Sequence, residues 1–345
     1  SVPAVGETPV AGHTYGTVSN LLRAVTAVTW DPVAQAYALR TFQRSDPEMA
    51  ALCVHLGRAF IVEATLQVGA NYRLRCNYPF SDTIPKEVSN LIAQITTGAK
   101  WLTPALGTAQ ALAIDAGLTA TLGWDLWGWS KDLLLYIRPT TLRVTANGYA
   151  VSCRRADVQR VVSEFHAKYI ELQQAYRDRG EYPMNSAVEI RVCGLDKPGD
   201  CLVPGAQVPL LSALRPWPQH PAWDTAVWFD ILSIPGTDTA NDYYAELEQW
   251  IYSNYAGDYA GVRVEWSKGW AYTAAGAWTN ELVVGTTVPA SFTQGFAAGA
   301  DFRAAVDMLD RLDPHRVFST AFLDRLMPRS ADLDANGTVD GADLA

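Results

Sequence analysis

The chain has 345 residues, 49% of them apolar, and a formal charge of −9. That apolar content supports a sizeable core and excludes global disorder. The acidic balance, with Arg154-Arg155 as the one adjacent basic pair, excludes a nucleic-acid surface, which needs clustered Lys and Arg to displace counterions.

Residues 1–20, rich in Gly, Pro, Ser and Thr, read as loop with short extended pieces. Ala24–Trp30 and Ala36–Thr41 alternate in strand fashion, with Asp31-Pro32 as the turn between them. Asp46-Pro47 predicts a short helix to about Leu56, with Asp46 as cap and Pro47 as first helical residue. Phe60–Cys76 reads as one long β-type run. Helices are expected over Pro85–Thr97 and Pro104–Leu118, then strands over Asp132–Arg138 and Thr141–Cys153. The second of these strands carries Asn147-Gly148, a hairpin signal. Asp157–Arg179 is the clearest helix: Val158, Val161, Val162, Phe165, Tyr169, Leu172 and Tyr176 form one stripe, which Gly180 ends. Strands follow at Ala187–Cys193, Thr225–Ser233 and Gly261–Trp266, with helices at about Asn241–Asn254 and Gly299–Leu312. Strands joined by hairpins or long loops and interleaved with helices predict an α+β fold, a mixed or antiparallel sheet flanked by helices.

Twelve Trp are present, and several are expected to line a core or an apolar pocket. The five cysteines, at 53, 76, 153, 193 and 201, show no metal-ligand spacing. They read as buried free thiols, with a loop disulfide Cys193–Cys201 as the alternative. Leu102–Trp124, the most apolar stretch, is no membrane span: Pro104 interrupts it, and a central Asp115 alone costs about 2.5–3.5 kcal/mol. The chain opens Ser-Val-Pro with no signal-peptide pattern, and both ends read as cuts within a longer product.

Three predicted strands carry charge. In Val188-Glu189-Ile190-Arg191-Val192, Glu189 and Arg191 share one face, roughly 6.6 Å apart at two strand rises. Asp230 lies among Trp228, Phe229 and Ile231; Glu265 opposes the apolar face of its strand, and Lys268 follows. An unpaired buried charge costs several kcal/mol, so these groups must pair, meet water or face a cavity. Two readings stay open: a structural ion-pair network on a half-exposed sheet, or a sheet whose polar face roofs an active site.

Collinear segments resemble the substrate domain of cholesterol oxidases with covalently attached FAD, of the vanillyl-alcohol-oxidase-like type. They are Pro3–Thr8 with Gly12–Gly16, Pro79–Pro85, Trp127–Asp132, Ala187–Asp196, Glu265–Ala271 and Asp313–Phe318. The resemblance implies residues 1–76 as the C-terminal part of an FAD-binding domain and 77–328 as a steroid-binding cap; residues 329–345 read as a separate tail. It implies oxidation of a steroid 3β-hydroxyl by O2, giving a 3-ketosteroid and hydrogen peroxide, with a possible Δ5 to Δ4 isomerisation. Glu189, Arg191, Glu265, Lys268 and Asp230 would be the catalytic set, Asp230 standing where the family has a neutral Asn. Gly12, His13, Gly16, Thr17 and Lys268 would meet the cofactor. Trp127, Trp129, Trp228 and Phe229 would wall the substrate pocket. The covalent attachment residue is expected before Ser1, and a family stretch with a further acidic residue is missing between Cys76 and Asn77, so this chain alone would be incomplete. The resemblance also implies a secreted enzyme with at most transient membrane contact. The alternatives are a non-catalytic steroid-binding module and an oxidase of another alcohol.

The tail is a separate signal. Asp332, Asp334, Asn336, Thr338, Asp340 and Asp343 match the 1, 3, 5, 7, 9 and 12 positions of a calcium loop, with Gly337 at 6. It resembles a dockerin-type half-repeat, which implies Ca2+ and a protein partner.

Overall fold

The computed structural model describes residues 17–68, 73–78, 99–102, 105–109, 124–129, 144–197, 199, 201–257 and 259–329. Near the N-terminus, β1 (Leu22–Asp31), β2 (Ala36–Gln43) and β3 (Phe60–Leu66) pair antiparallel in the order β2-β1-β3. Asp31 makes the predicted turn: its Oδ1 accepts from the N–H groups of Val33 at 2.8 Å and Ala34 at 3.1 Å. Alternation along β1 buries Val25, Ala27 and Thr29. Val25 and Ala27 pack with Phe42 against Met49, Leu52 and Leu312.

Two expectations change here. The predicted 46–56 helix contracts to α1 (Met49–Leu52), and Asp46 does not cap it. Its carboxylate instead takes the N–H of Gln43 at 2.8 Å, closing the turn after β2. The 60–76 run divides into β3 and β4 (Arg73–Tyr78), and β4 pairs antiparallel with β5 (Trp124–Trp129) in a separate two-stranded sheet. Cys76 and Asn77 are consecutive residues inside β4. Residues 105–109 are helical, within the helix expected there. The expected helix at 85–97 and strand at 132–138 lie outside the described residues, as do Gly12, His13, Gly16 and all six tail ligands.

The central sheet has four antiparallel strands in the order β7-β8-β6-β9: β6 (Thr145–Cys153), β7 (Val188–Gly194), β8 (Thr225–Ser233) and β9 (Ala260–Val264). Helices α2 (Val158–Arg177) and α3 (Ala240–Asn254) cover one face. The α2 stripe buries Val161, Phe165, Leu172 and Tyr176, and Gly180 ends the helix at φ +75°. Phe165 lies flat on Phe229, ring centroids 3.8 Å apart. Buried tyrosines on this face find backbone carbonyls: Tyr255 donates to Val161 at 2.8 Å and Tyr243 to Tyr169 at 3.1 Å.

Asn147-Gly148 makes no hairpin. β6 runs straight through it because both residues are held in the β8 ladder, Gly148 opposite Asp230. Four cysteines, 53, 153, 193 and 201, are free thiols; the Cys193–Cys201 disulfide is absent, Cys193 instead accepting the Trp228 indole N–H at 3.0 Å.

After one wide turn at Val283–Thr287 comes α4 (Val288–Ser291), then α5 (Phe302–Leu312) and α6 (Ala321–Leu326). The start of α5 falls three residues later than expected because Gly299 has φ +80°; Asp301 caps it by accepting from Ala304 N–H at 2.9 Å. Asp313, which follows α5, clasps the first sheet. It accepts from the Tyr37 hydroxyl, from Arg58 at 2.9 Å, and from the N–H groups of Val317 and Phe318 at 2.9 and 3.0 Å.

Candidate active site

Two strands and one turn bring the charged side chains together. Period-two alternation sends Val227, Phe229 and Ile231 of β8 to the helix-covered face, and Asp230 and Trp228 to the other. Across the ladder Glu189 lies opposite Asp230 and Arg191 opposite Trp228, so all four share that second face. Glu265 follows the end of β9. Its N–H donates to Gly148 O at 2.9 Å, while Lys268 N–H bonds back to Glu265 O at 3.1 Å. This tight turn delivers Glu265 and Lys268 over Gly148. A Cβ on Gly148 would lie 2.7 Å from Lys268 Cγ and 2.9 Å from Glu265 Cβ and Oε2, so only glycine leaves them room.

The result is one cluster centred on Arg191. Its Nη2 donates to Asp230 Oδ2 and lies 3.8 Å from Glu265 Oε2, while its Nε is 3.8 Å from Glu189 Oε2. Lys268 Nζ is 3.9 Å from Asp230 Oδ2, and Ser267 donates to Glu265 Oε1 at 2.9 Å. Exposure is graded: Glu189 and Arg191 are 52% exposed, Lys268 29%, Glu265 16% and Asp230 1%. Burial pushes the Asp230 carboxyl up to about 8, helped by the neighbouring Glu265 carboxyl and opposed by Arg191 and Lys268. A buried acid beside half-exposed cations, open on one side, can hold or pass a proton to a neutral ligand.

All five residues expected to be catalytic thus meet: Glu189, Arg191, Asp230, Glu265 and Lys268. The expected pocket walls divide. Trp228 is half-buried on the cluster's face and Trp127, in the separate β4-β5 sheet, is 65% exposed, whereas Phe229 is fully buried against Phe165 on the opposite face and walls nothing here. Trp129 ends β5, and its side chain is not among those described. Thr17 spends both its N–H and its hydroxyl on Asp196, at 2.7 and 3.1 Å.

Sequence reasoning missed three residues. Gly148 sent a hairpin signal, although its missing side chain is what admits the cluster. Asp196, fully buried just past β7, gathers Thr17, Asn20 and Ser212 and ties the segment before β1 to the end of that strand. Arg263 is buried on the cluster's side of β9, where it donates to the carbonyls of Ser291 and Arg215 and lies over the Trp217 ring at 4.2 Å. Parity with Glu265 put Arg263 on that face; the aromatic partner comes from a loop no pattern connects to it.

A recess of about 440 Å³ in the 199–206 loop shares no residue with the cluster. Among the described residues no group of three or more His, Cys, Asp or Glu could hold a metal, and no helix is long and apolar enough to cross a membrane.

An antiparallel sheet with helices on one face and a charged, partly open cluster on the other defines a ligand-binding domain of α+β class. The model of the cholesterol oxidase substrate-binding family matches residues 65–328. The fold is similar to that of a solvent-stable cholesterol oxidase, with 45% identity and TM-score 0.82 over 94% of this chain and 73% of that one. It is also similar to the cholesterol oxidase of Brevibacterium sterolicum, with 35% identity and TM-score 0.81 over 95% of this chain and 72% of that one. The chain belongs to the cholesterol oxidase family and carries its substrate-binding domain. Comparison with curated protein sequences gives no match.

Proposed function

We propose that this chain is the sterol-binding part of a flavin-dependent oxidase, turning a 3β-hydroxysteroid and O2 into a 3-ketosteroid and hydrogen peroxide. The observation that carries the reading is the convergence of Glu189, Arg191, Asp230, Glu265 and Lys268 on one partly open face. Those residues fit FAD: Arg191 and Lys268 place two cations toward the open side, where an electron-accepting ring system gains from positive charge. FAD, when bound, supplies the hydride acceptor. The chain's own groups do the rest. Glu265 takes the hydroxyl proton, Arg191 orients the substrate oxygen, and a carboxylate of the cluster moves a proton from C4 to C6 in the Δ5 to Δ4 shift. Trp127 and Trp228 offer flat apolar surface to the steroid rings. Covalent attachment of FAD, contact of Gly12, His13, Gly16 and Thr17 with it, secretion, the division at residue 76 and a calcium loop at Asp332–Asp343 with its protein partner belong to the same proposal.

The test is a sterol titration followed by tryptophan difference spectroscopy, with peroxide release measured on the full-length protein containing FAD. Saturable spectral change with peroxide formation is expected. Saturable binding with no peroxide favours the non-catalytic module. Peroxide from a small polar alcohol with no sterol response overturns the substrate class.

A further inference from the structure

Two buried carboxyl oxygens in the cluster lack any hydrogen-bond partner among the described residues: Asp230 Oδ1 and Glu265 Oε2. A buried acceptor left unpaired costs roughly 1–3 kcal/mol, so two in one cluster require an explanation. Both belong to side chains gathered over Gly148, which lies opposite Asp230 in the ladder and would touch Glu265 Oε2 through a Cβ. Each has a lone pair to offer and neither has a proton. One added proton satisfies both, as a carboxylic acid on one side donating to a carboxylate on the other.

We propose that Asp230 and Glu265 share a single proton at neutral pH, resident on Asp230 and donated to Glu265 Oε2, which makes Asp230 the residue that positions and charges the Glu265 base. Every charged group facing the pair agrees. Glu189 and Arg191 approach from β7, Glu265 and Lys268 from the turn after β9, and β6 presents no side chain at this point because it has Gly148. Three carboxyls meet two cations, so one proton leaves the cluster neutral and its loss leaves a surplus negative charge. A neutral cluster suits a neutral, mostly apolar ligand. Asp230 is the side that burial favours for the proton: it is 1% exposed against 16% for Glu265. Its elevated titration, near 8, points the same way. The consequence for turnover rests on the proposed function; the proton itself does not.

The test is infrared difference spectroscopy of the protein with and without Asp230→Asn, repeated with Glu265→Gln. Asp196 and Glu248, whose carboxyls burial also pushes up, are present in every sample and cancel. The expected result is a protonated-carboxyl C=O band lost in both variants, moved by 13C-aspartate but not 13C-glutamate labelling, and vanishing in the unmutated protein as pH rises through about 8. Thermal stability should report the same proton. An acid whose folded value is raised binds more protons folded than unfolded, so its contribution is complete at low pH and fades between about pH 4 and 8. The unmutated protein should therefore lose melting temperature over that range more steeply than Asp230→Asn. In sterol turnover, a fall in rate above about pH 8 should be present in the unmutated enzyme and missing in Asp230→Asn. A band that survives Glu265→Gln, or follows glutamate labelling, overturns the shared proton on Asp230. Absence of any such band at pH 7 overturns it outright. Absence of sterol turnover with the band intact overturns the proposed function and leaves the proton in place.

Discussion

Replacing Gly148 with Ala probes the cluster through one methyl group. The new Cβ would sit 2.7 Å from Lys268 Cγ and 2.9 Å from both Cβ and Oε2 of Glu265, closer than carbon atoms tolerate. Lys268 can swing its chain aside. Glu265 cannot retreat easily, because its N–H is bonded to Gly148 O at 2.9 Å, and Gly269 N–H is bonded to Ala146 O at 2.7 Å a few residues on. Overpacking of this kind costs about 1–3 kcal/mol. Spread over a protein of this size, that lowers the melting temperature by roughly 2–4 °C per kcal/mol or somewhat less. The larger effect falls on turnover, since moving a catalytic group by about 1 Å costs on the order of 10²-fold in rate. Calorimetry and peroxide release measured on the same variant separate the two effects. Gly285→Ala is the control: a Cβ there meets nothing within 4 Å, and the change should be neutral or slightly stabilising. Superimposable melting curves and equal turnover for Gly148→Ala and the unmutated protein would refute the claim that glycine makes room for the site.

Arg191→Ala should cut turnover by roughly 10²–10³ while leaving the melting temperature nearly unchanged, because the side chain is half exposed. A loss of about 3–5 kcal/mol with turnover intact in the folded fraction would make Arg191 a structural partner of Asp230 instead. Asp313→Ala should destabilise the protein by about 3–5 kcal/mol in denaturant titration, since it removes one of two carboxylates from the fully buried Arg58; a change under about 1 kcal/mol would contradict the clasp. His55 accepts at Nδ1 from the N–H groups of Gly57 and Ala59, at 3.2 and 3.3 Å, and burial pulls its imidazole below the usual range. A base lowered in the folded state binds fewer protons than in the unfolded chain, so its contribution is present above about pH 6.5 and is lost as pH falls below it. Melting curves of His55→Asn and the unmutated protein should converge as the pH is lowered from about 7 to 5, and parallel curves would contradict this.

Much of the site could be read in the sequence because strand periodicity is local. Glu189 and Arg191 share a face by alternation alone, and the same rule puts Asp230 opposite Val227, Phe229 and Ile231. Applied strictly, it would also have removed Phe229 from the pocket, since a residue next to Asp230 in the strand points the other way. What alternation cannot supply is register between strands. That Glu189 meets Asp230 rather than Leu232 is decided by the β7-β8 ladder, and that Glu265 joins them is decided by a turn past the end of β9. Asn147-Gly148 shows the opposite failure. The pair favours a tight turn in isolation, but the β8 ladder on one side and the backbone bonds of Gly148 to Gly269 and Glu265 on the other hold it extended. The split of the 60–76 run into two sheets was equally hidden, because its apolar alternation is the same on both sides of the break. Helix α2 was legible nearly to the residue, its stripe and its terminal glycine both being local signals.

The Asp313 clasp sets an order of events during synthesis. Its partners Arg58 and Tyr37 precede it by 255 and 276 residues, and Leu312 beside it completes the core under β1. A ribosome adding roughly 5–20 residues per second reaches Asp313 about 13–50 s after it has made Arg58. Throughout that interval the inner face of the first sheet, with Val25, Ala27 and Phe42, has no Leu312 to close it, and Arg58 has neither carboxylate. A sheet made before the central one is therefore sealed only after it, and until Leu312 and Asp313 emerge the nascent chain offers an unsealed apolar surface to chaperones.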